Sequence, residues 1–358
     1  MPTRKPCLRR ANVCALPSYT ARNRQLLMRL FIPICIAFLV SAKAGVAHPW
    51  APPADTLRPT SPARTLTYTY ANDLFFRTDY YFTQGMSLTL VHPGLARLPT
   101  QRLLFGGPVG STQAHGVALR YDGFTPLRIQ DSFIRVGDRP YAAYLYASFF
   151  RVSSRDEPSR RHRLTSALEL GFIGPAAGGK ELQTAIHRVT GNAEPRGWNY
   201  QMRNAPIVGY RLAMDKPLLA AARHAELLGN AEVSLGTLYT YAEAGLRLRI
   251  GNFAPYFDGP GAVIPATPAP PKPWQLYGQA TLAGRAIGYD ATLQGGLFST
   301  NPYALASNDV RRGVLRSSGG VVLARGGLSF AATATWVSPE FAGGRPHRWG
   351  QLGLAATF

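Results

Sequence analysis

Cysteine is nearly absent from this 358-residue chain. The three present, Cys7, Cys14 and Cys35, lie in the first 47 residues. That stretch reads as a leader, so the remainder has no thiol to pair, to bind zinc or to act as a nucleophile. Acid is also scarce, with 19 Asp and Glu against 39 Lys and Arg. Past the leader no apolar run approaches the ~20 residues that a helix needs to cross a bilayer. No Walker A sequence, H-E-x-x-H pair, G-x-S-x-G elbow or zinc-ligand spacing occurs. The glycine-rich 106-GGPVGS-111 lacks the lysine of a P-loop and reads as a plain loop.

Residues 1–47 hold eight basic residues, no acid, and the apolar run 30-LFIPICIAFLVSA-42. The run is short for a membrane span, and small residues at 42-AKA-44 and 45-GVA-47 suit cleavage. The segment is expected to be a secretory signal peptide, with Met28 an alternative start. It carries eight of the 39 basic residues and none of the acids, so its removal lowers the net charge from +20 to +12. An exported chain with excess arginine meets anionic lipid surfaces more often than nucleic acid.

A Pro-rich periplasmic lead-in is expected at 48–63, and a single β-domain over 64–358. Leu66, Tyr68 and Tyr70 alternate with Thr65, Thr67 and Thr69, and Leu246, Leu248 and Ile250 alternate with Arg247 and Arg249. The same two-residue period recurs at Met86/Leu88/Leu90, at Leu168/Leu170/Phe172 and from Leu328 to Trp336. This is strand periodicity, in segments of about ten residues that suit tilted membrane strands. Gly, Pro, Asn and Asp clusters such as 251-GNFAPYFDGPG-261 and 299-STNPYALASND-309 separate them as turns and loops. A soluble sandwich has the same alternation. Export, the missing cysteines and the supply of 17 Tyr and 17 Phe for interfacial girdles favour the membrane form. The expected fold is therefore all-β: a transmembrane antiparallel β-barrel of about twelve strands with a short helix in an extracellular loop.

Strand parity then sorts the loops. With both ends of the chain periplasmic, the connections near 72–82, before 140, and at 174–200 are extracellular. The last is long for an unstructured loop, and 178-GGKELQTAIHRVTG-191 has helical spacing with Gly191 as its stop. Asn72, Asp73, Thr83, Asp138, His187 and Glu194 all fall at this outer end. Singly, each has an ordinary structural role as a turn former, strand surface or solvated charge. Together they offer an imidazole base, oxygen ligands for a hard cation such as calcium, and a hydroxyl, from which a metal-assisted hydrolysis can be built. The basic residues Arg77, Arg139 and Arg188 lie near the same end and are candidates to hold substrate phosphates.

The blocks 71-ANDLFFRTDYYFTQG-85, 137-GDRPYAAYLY-146, 171-GFIGPAAGGKELQTAIHRVTG-191 and 197-GWNYQ-201 resemble the lipid A 3′-O-deacylase family of Gram-negative outer membranes. The resemblance runs from about residue 64 to the C-terminus and is strongest before residue 215. It implies a twelve-stranded barrel in the outer membrane that removes the 3′-linked acyloxyacyl group from lipid A and requires Ca2+. It places the family's Asn-Asp pair on Asn72 and Asp73, its threonine on Thr83 and its histidine on His187. Its glutamate falls on Glu194 after a one-residue shift in the loop. Asp73 and Glu194 are the implied metal ligands. Two departures stand out: Ala205 occupies an acidic position of the family, and the basic residue before D-R-P-Y has only Arg128 or Arg135 as counterparts. The residues alone leave two other readings open, a non-enzymatic porin, adhesion or assembly barrel and an outer-membrane phospholipase.

Overall fold

A computed structural model describes residues 60–76, 78–155, 161–222, 224–257 and 274–358. The expected leader, most of the lead-in, and Arg77 lie outside the described residues. The rest forms twelve strands: β1 (Thr65–Asn72), β2 (Tyr81–Val91), β3 (Thr112–Thr125), β4 (Ala142–Arg155), β5 (His162–Ile173), β6 (Ala205–Ala222), β7 (Ala225–Gly236), β8 (Tyr239–Asn252), β9 (Gln275–Asp290), β10 (Gly313–Arg325), β11 (Leu328–Val337) and β12 (His347–Thr357). Each pairs antiparallel with its sequence neighbour, and β1 closes the barrel on β12 from Thr65↔Thr357 to Asn72↔Gly350. Closure leaves no unpaired sheet edge, which is the condition for a sheet to stand in lipid.

The alternation read from the sequence divides two rows. The outward row is apolar and open: Leu235 is 72% and Leu282 58% exposed, and Leu246, Leu248, Ile250 and Leu323 are exposed as well. The inward row is polar. Arg120, Asp122, Glu169, Arg211, Glu232, Arg285 and Arg316 line a lumen cavity of 290 Å3. A soluble protein would reverse these rows, so the arrangement is that of a membrane barrel.

The lumen is stoppered at the end opposite the β5–β6 connection. After β8 the chain turns inward, and Phe253 and Phe257 are almost completely buried. Tyr256 lies 4.6 Å from the Arg163 guanidinium and 5.3 Å from that of Arg247, while Arg249 lies 4.6 Å from the Phe253 ring and 4.3 Å from that of Tyr277. Arg249 also pairs with Glu226, and the Tyr256 hydroxyl donates to Asp215 at 3.2 Å. These cation–π and ionic contacts hold an aromatic plug across the lumen. Purified protein in planar bilayers is therefore expected to show no porin-sized conductance, and joint substitution of Tyr256 and Phe257 by alanine should raise it; a large steady current from the parent would contradict the plug.

Candidate active site

The longest connection, residues 174–204 between β5 and β6, crosses the outside of the wall. Its helix α1 (Gly179–Thr190) buries Gly179, Gln183, His187 and Thr190, positions that recur on one helical face. Gly191 ends it in the left-handed region at φ 70°, where glycine carries no Cβ penalty, and its N–H and that of Asn192 both bond to the His187 carbonyl. The covering is on the outer side. Trp198, Tyr141, Leu182 and Ala177 pack against Met86, Tyr121, Ala143 and Leu145, whose strand neighbours Tyr144 and Tyr146 face the lumen. The described helix is the one expected from 178–191, and its loop runs four residues beyond the expected end at 200.

Thr83 reaches this outer surface through a β-bulge. Phe82 pairs with Phe124 and Gln84 with Gly123, so Thr83 has no partner across the ladder. The extra residue puts Thr83 on the same side as Gln84, whose amide donates to the Tyr121 hydroxyl at 3.4 Å on the outer wall. There the Gln183 Nε2 donates to Thr83 Oγ1 at 3.0 Å, and Gln183 Oε1 accepts from Trp198 Nε1 at 2.6 Å.

One helical turn further along the same face, the His187 ring is buried and its Nδ1 is 2.6 Å from the Ala193 carbonyl. A carbonyl only accepts, so Nδ1 carries a proton, and in the neutral ring the lone pair is the one on Nε2. The carboxylates arrive from the turn between β1 and β2. Asp73 is buried, and its Oδ2 accepts from the Tyr80 backbone N–H at 3.0 Å. Burial raises its carboxyl well above the ordinary range; the like charge of Asp79 adds to this, and the backbone N–H bonds oppose it. Asp79 is itself raised by burial, and this is offset by the nearby His187 ring. Asp79 thus sits within electrostatic reach of both Asp73 and His187, although the sequence reading passed over it. Gln183 was likewise visible in the helix motif but given no role.

The other candidates are distributed differently. Asn72 is buried beside Asp73, where its Oδ1 accepts from the Leu74 N–H at 2.7 Å and its Nδ2 donates to the Tyr70 hydroxyl at 3.1 Å, a turn-forming arrangement. Glu194 follows the carbonyl that orients His187, but its side chain is exposed and makes no hydrogen bond or ion pair to the described residues. Arg139 does not face this site. It is 1% exposed, turned into the lumen, bonded to Glu340 at 2.5 Å and to Thr292 at 2.8 Å, and stacked on Phe124. Asp138 organises its own loop by accepting from Leu127 and Arg139 N–H, and it pairs with Arg135. Asp131 also pairs with Arg135, and lies 3.9 Å from Arg128. Arg188 is exposed on the far face of α1.

For a hard cation, the fit rests on Asp73 and Asp79, two mutually repelling carboxyls with no Lys or Arg ion-pair partner among the described residues. Among the described residues no three His, Cys, Asp or Glu side chains cluster as ligands, so carbonyls and water would complete such a shell.

A closed barrel with an imidazole, two carboxylates and a hydroxyl near a loop helix on its outer wall is an outer-membrane protein whose polar site lies outside the lumen. The family model described as outer membrane protein LpxR matches residues 30–358. The chain belongs to that family, the lipid A deacylases whose motifs it carries. It is similar in structure to LpxR from Salmonella typhimurium, at 19% identity over 82% of this chain and 100% of that one, with a TM-score of 0.66. More distant barrels are the beta domain of the Bordetella autotransporter BrkA, at 11% identity over 83% and 99% of the two chains with a TM-score of 0.40, and the translocator domain of NalP from Neisseria meningitidis, at 9%, 94% and 96% with 0.38. No curated protein sequence matches the chain.

The raised Asp73 carboxyl has a consequence for stability. A group whose folded pKa lies above its unfolded value disfavours folding once pH exceeds the unfolded value, because the unfolded chain then ionises more readily. At neutral pH in chelator, Asp73→Asn is expected to raise the midpoint of urea unfolding, read by the heat-modifiable gel shift of the barrel; an unchanged or lower midpoint would show that the carboxylate is not carried at a cost.

Proposed function

We propose that the chain is a calcium-dependent hydrolase that removes the 3′-linked acyloxyacyl group from lipid A in the outer leaflet, using water activated by His187. The observation that carries this reading is the His187 ring. Its Nδ1–H is committed to the Ala193 carbonyl, which leaves Nε2 as the base, on the outer wall where a lipid approaches from the side, with Asp79 within electrostatic reach of the ring and Asp73 in turn near Asp79. No cysteine or serine elbow competes as nucleophile.

In this mechanism Nε2 takes a proton from water as its oxygen attacks the ester carbonyl carbon. The tetrahedral species collapses with loss of the sugar 3′-oxygen, which takes the proton back from the imidazolium, giving a free fatty acid and a free hydroxyl. The Ala193 carbonyl stabilises the transient imidazolium through Nδ1–H, and Asp79 does so through its charge. Asp73 and Asp79 are the side chains that would hold Ca2+, with Glu194 the further ligand expected from the resemblance. Bound there, the ion supplies positive charge against the oxyanion. Asn72 keeps Asp73 in place by closing the turn, and Arg188, exposed on α1, is available to meet a phosphate.

Two measurements test this. Mass spectrometry of lipid A from cells expressing the chain should show loss of the 3′-acyloxyacyl group, and His187→Ala should abolish it; deacylation retained in that variant would end the proposal. In chelator, addition of Ca2+ should restore activity and raise the unfolding midpoint of the parent but not of Asp73→Asn. Activity indifferent to chelation would remove the metal from the mechanism. Glycerophospholipid vesicles offered alongside should be left intact.

A further inference from the structure

Gln183 is almost wholly buried, and it touches none of the hydrolytic groups except Thr83. Its amide has a defined direction. An indole N–H can only donate, so the 2.6 Å bond from Trp198 Nε1 identifies the facing atom of Gln183 as Oε1 and turns Nε2 toward Thr83 Oγ1, 3.0 Å away. A hydroxyl oxygen that accepts there must spend its own proton elsewhere. The Thr83 hydroxyl has no acceptor recorded among the described residues, although the residue is 3% exposed. A buried hydroxyl with an unspent proton is an unsatisfied donor.

We propose that Trp198 and Gln183 form a polarity lock that makes Thr83 an obligate hydrogen-bond donor to the ester oxygen on which charge develops. Thr83 is then the group that touches substrate, and Gln183 and Trp198 are positioning residues acting through it. The proposal rests on the hydrolytic reading of the site. The lock is anchored from behind. The Trp198 ring packs at 4.9 Å against Tyr141, whose hydroxyl donates to the Ile129 carbonyl at 3.0 Å. A Cβ at Gly179 would lie 2.6 Å from the indole, so that close approach requires glycine. Gln183 and His187 are four residues apart on the buried helix face, which sets the residue that orients Thr83 and the base about 6 Å apart along the helix. The D-R-P-Y, G-W-N-Y, helix and F-T-Q-G blocks are thereby joined in one chain of contacts, and its last atom is the Thr83 proton.

The test reverses the polarity without changing the shape. Gln183→Glu still accepts from Trp198, but its carboxylate cannot donate, so it captures the Thr83 proton and turns the donor away from substrate. With purified enzyme and lipid A, kcat is expected to fall on the order of a hundredfold, the usual cost of one oxyanion donor, with KM unchanged. Thr83→Val should lose as much, Thr83→Ser should keep activity, and the Gln183→Glu/Thr83→Val pair should be no slower than Thr83→Val alone. Trp198→Phe removes the N–H together with part of the buried ring, keeps an aromatic ring against Tyr141, and should lower kcat about tenfold, the worth of one hydrogen bond; it decides the matter if Gln183→Glu does not fold, as judged by heat-modifiable mobility. Parental kcat in folded Gln183→Glu or Trp198→Phe, or losses that multiply in the double variant, would overturn the lock. A parent that leaves lipid A untouched would instead defeat the hydrolytic reading itself.

Discussion

Because the sheet closes on itself through β1 and β12, each strand has one row of side chains facing the lumen and one facing whatever surrounds the wall. No strand can slip by a residue without exchanging the two rows. Over most of the wall the outer row is leucine, valine and tryptophan, and it meets lipid. At the loop end of β2–β4 that row instead meets α1, and there its members become Tyr121, Ala143 and Gln84. Thr83 reaches the same surface only because one extra residue is inserted between Phe82 and Gln84. The polar chemistry of the site and the apolar face of the barrel are thus consecutive stretches of one row, told apart by the helix that covers the first.

This explains how much the sequence could disclose. Alternation is local, so the strands, their direction and the end to which each loop belongs followed from periodicity and parity. Hence Asp73, Thr83 and His187 were found at one end. Which way a loop side chain points is settled by packing between distant segments, and there the reading was incomplete. Arg139 begins at the outer end yet turns into the lumen, because Glu340 and Thr292 from two later loops receive it. Asp79 lies on the return limb of the turn that carries Asp73, in 78-TDYYF-82; only its proximity to Asp73 and His187 distinguishes it from a solvated turn residue. Gln183 is separated from His187 by one helical turn, a spacing that was legible, but its partners Thr83 and Trp198 come from other elements.

The charge excess also has a different meaning in the folded chain. Read as a number, it points to an anionic partner. Internal pairing cancels one base against one acid and leaves the excess itself unchanged, but it commits particular arginines: Arg211 bridges Glu169 and Glu232 at 3.1 and 3.0 Å, Arg285 pairs with Glu243 at 2.8 Å, and Arg139 and Arg249 pair with Glu340 and Glu226. A buried pair contributes little net stability but costs about 3–5 kcal/mol when one member is removed. Such pairs therefore hold the lumen to a single arrangement. Arg139, Arg211 and Arg285 line the lumen cavity with their charges paired, and the His187 ring lies on the other side of the wall.

The turn between Asp73 and Thr83 carries the remaining structural tension. Tyr81 sits at φ 68°, the one positive value recorded for a non-glycine residue among the described residues, and a left-handed conformation costs an L-residue roughly 1–2 kcal/mol. Its ring offsets that cost, since it is buried edge-on against Phe341 at 5.3 Å and His347 at 5.7 Å, and its hydroxyl accepts from the Arg345 N–H at 3.3 Å. The neighbouring Tyr80 N–H is thereby aimed back at the Asp73 carboxylate, while two residues later the bulge turns Thr83 outward. A relaxed extended residue at 81 would carry the strand straight on from the turn. The strain at Tyr81 is therefore what allows a short connection to hold the Asp73 carboxylate at its start and to turn the Thr83 hydroxyl toward α1 at its end.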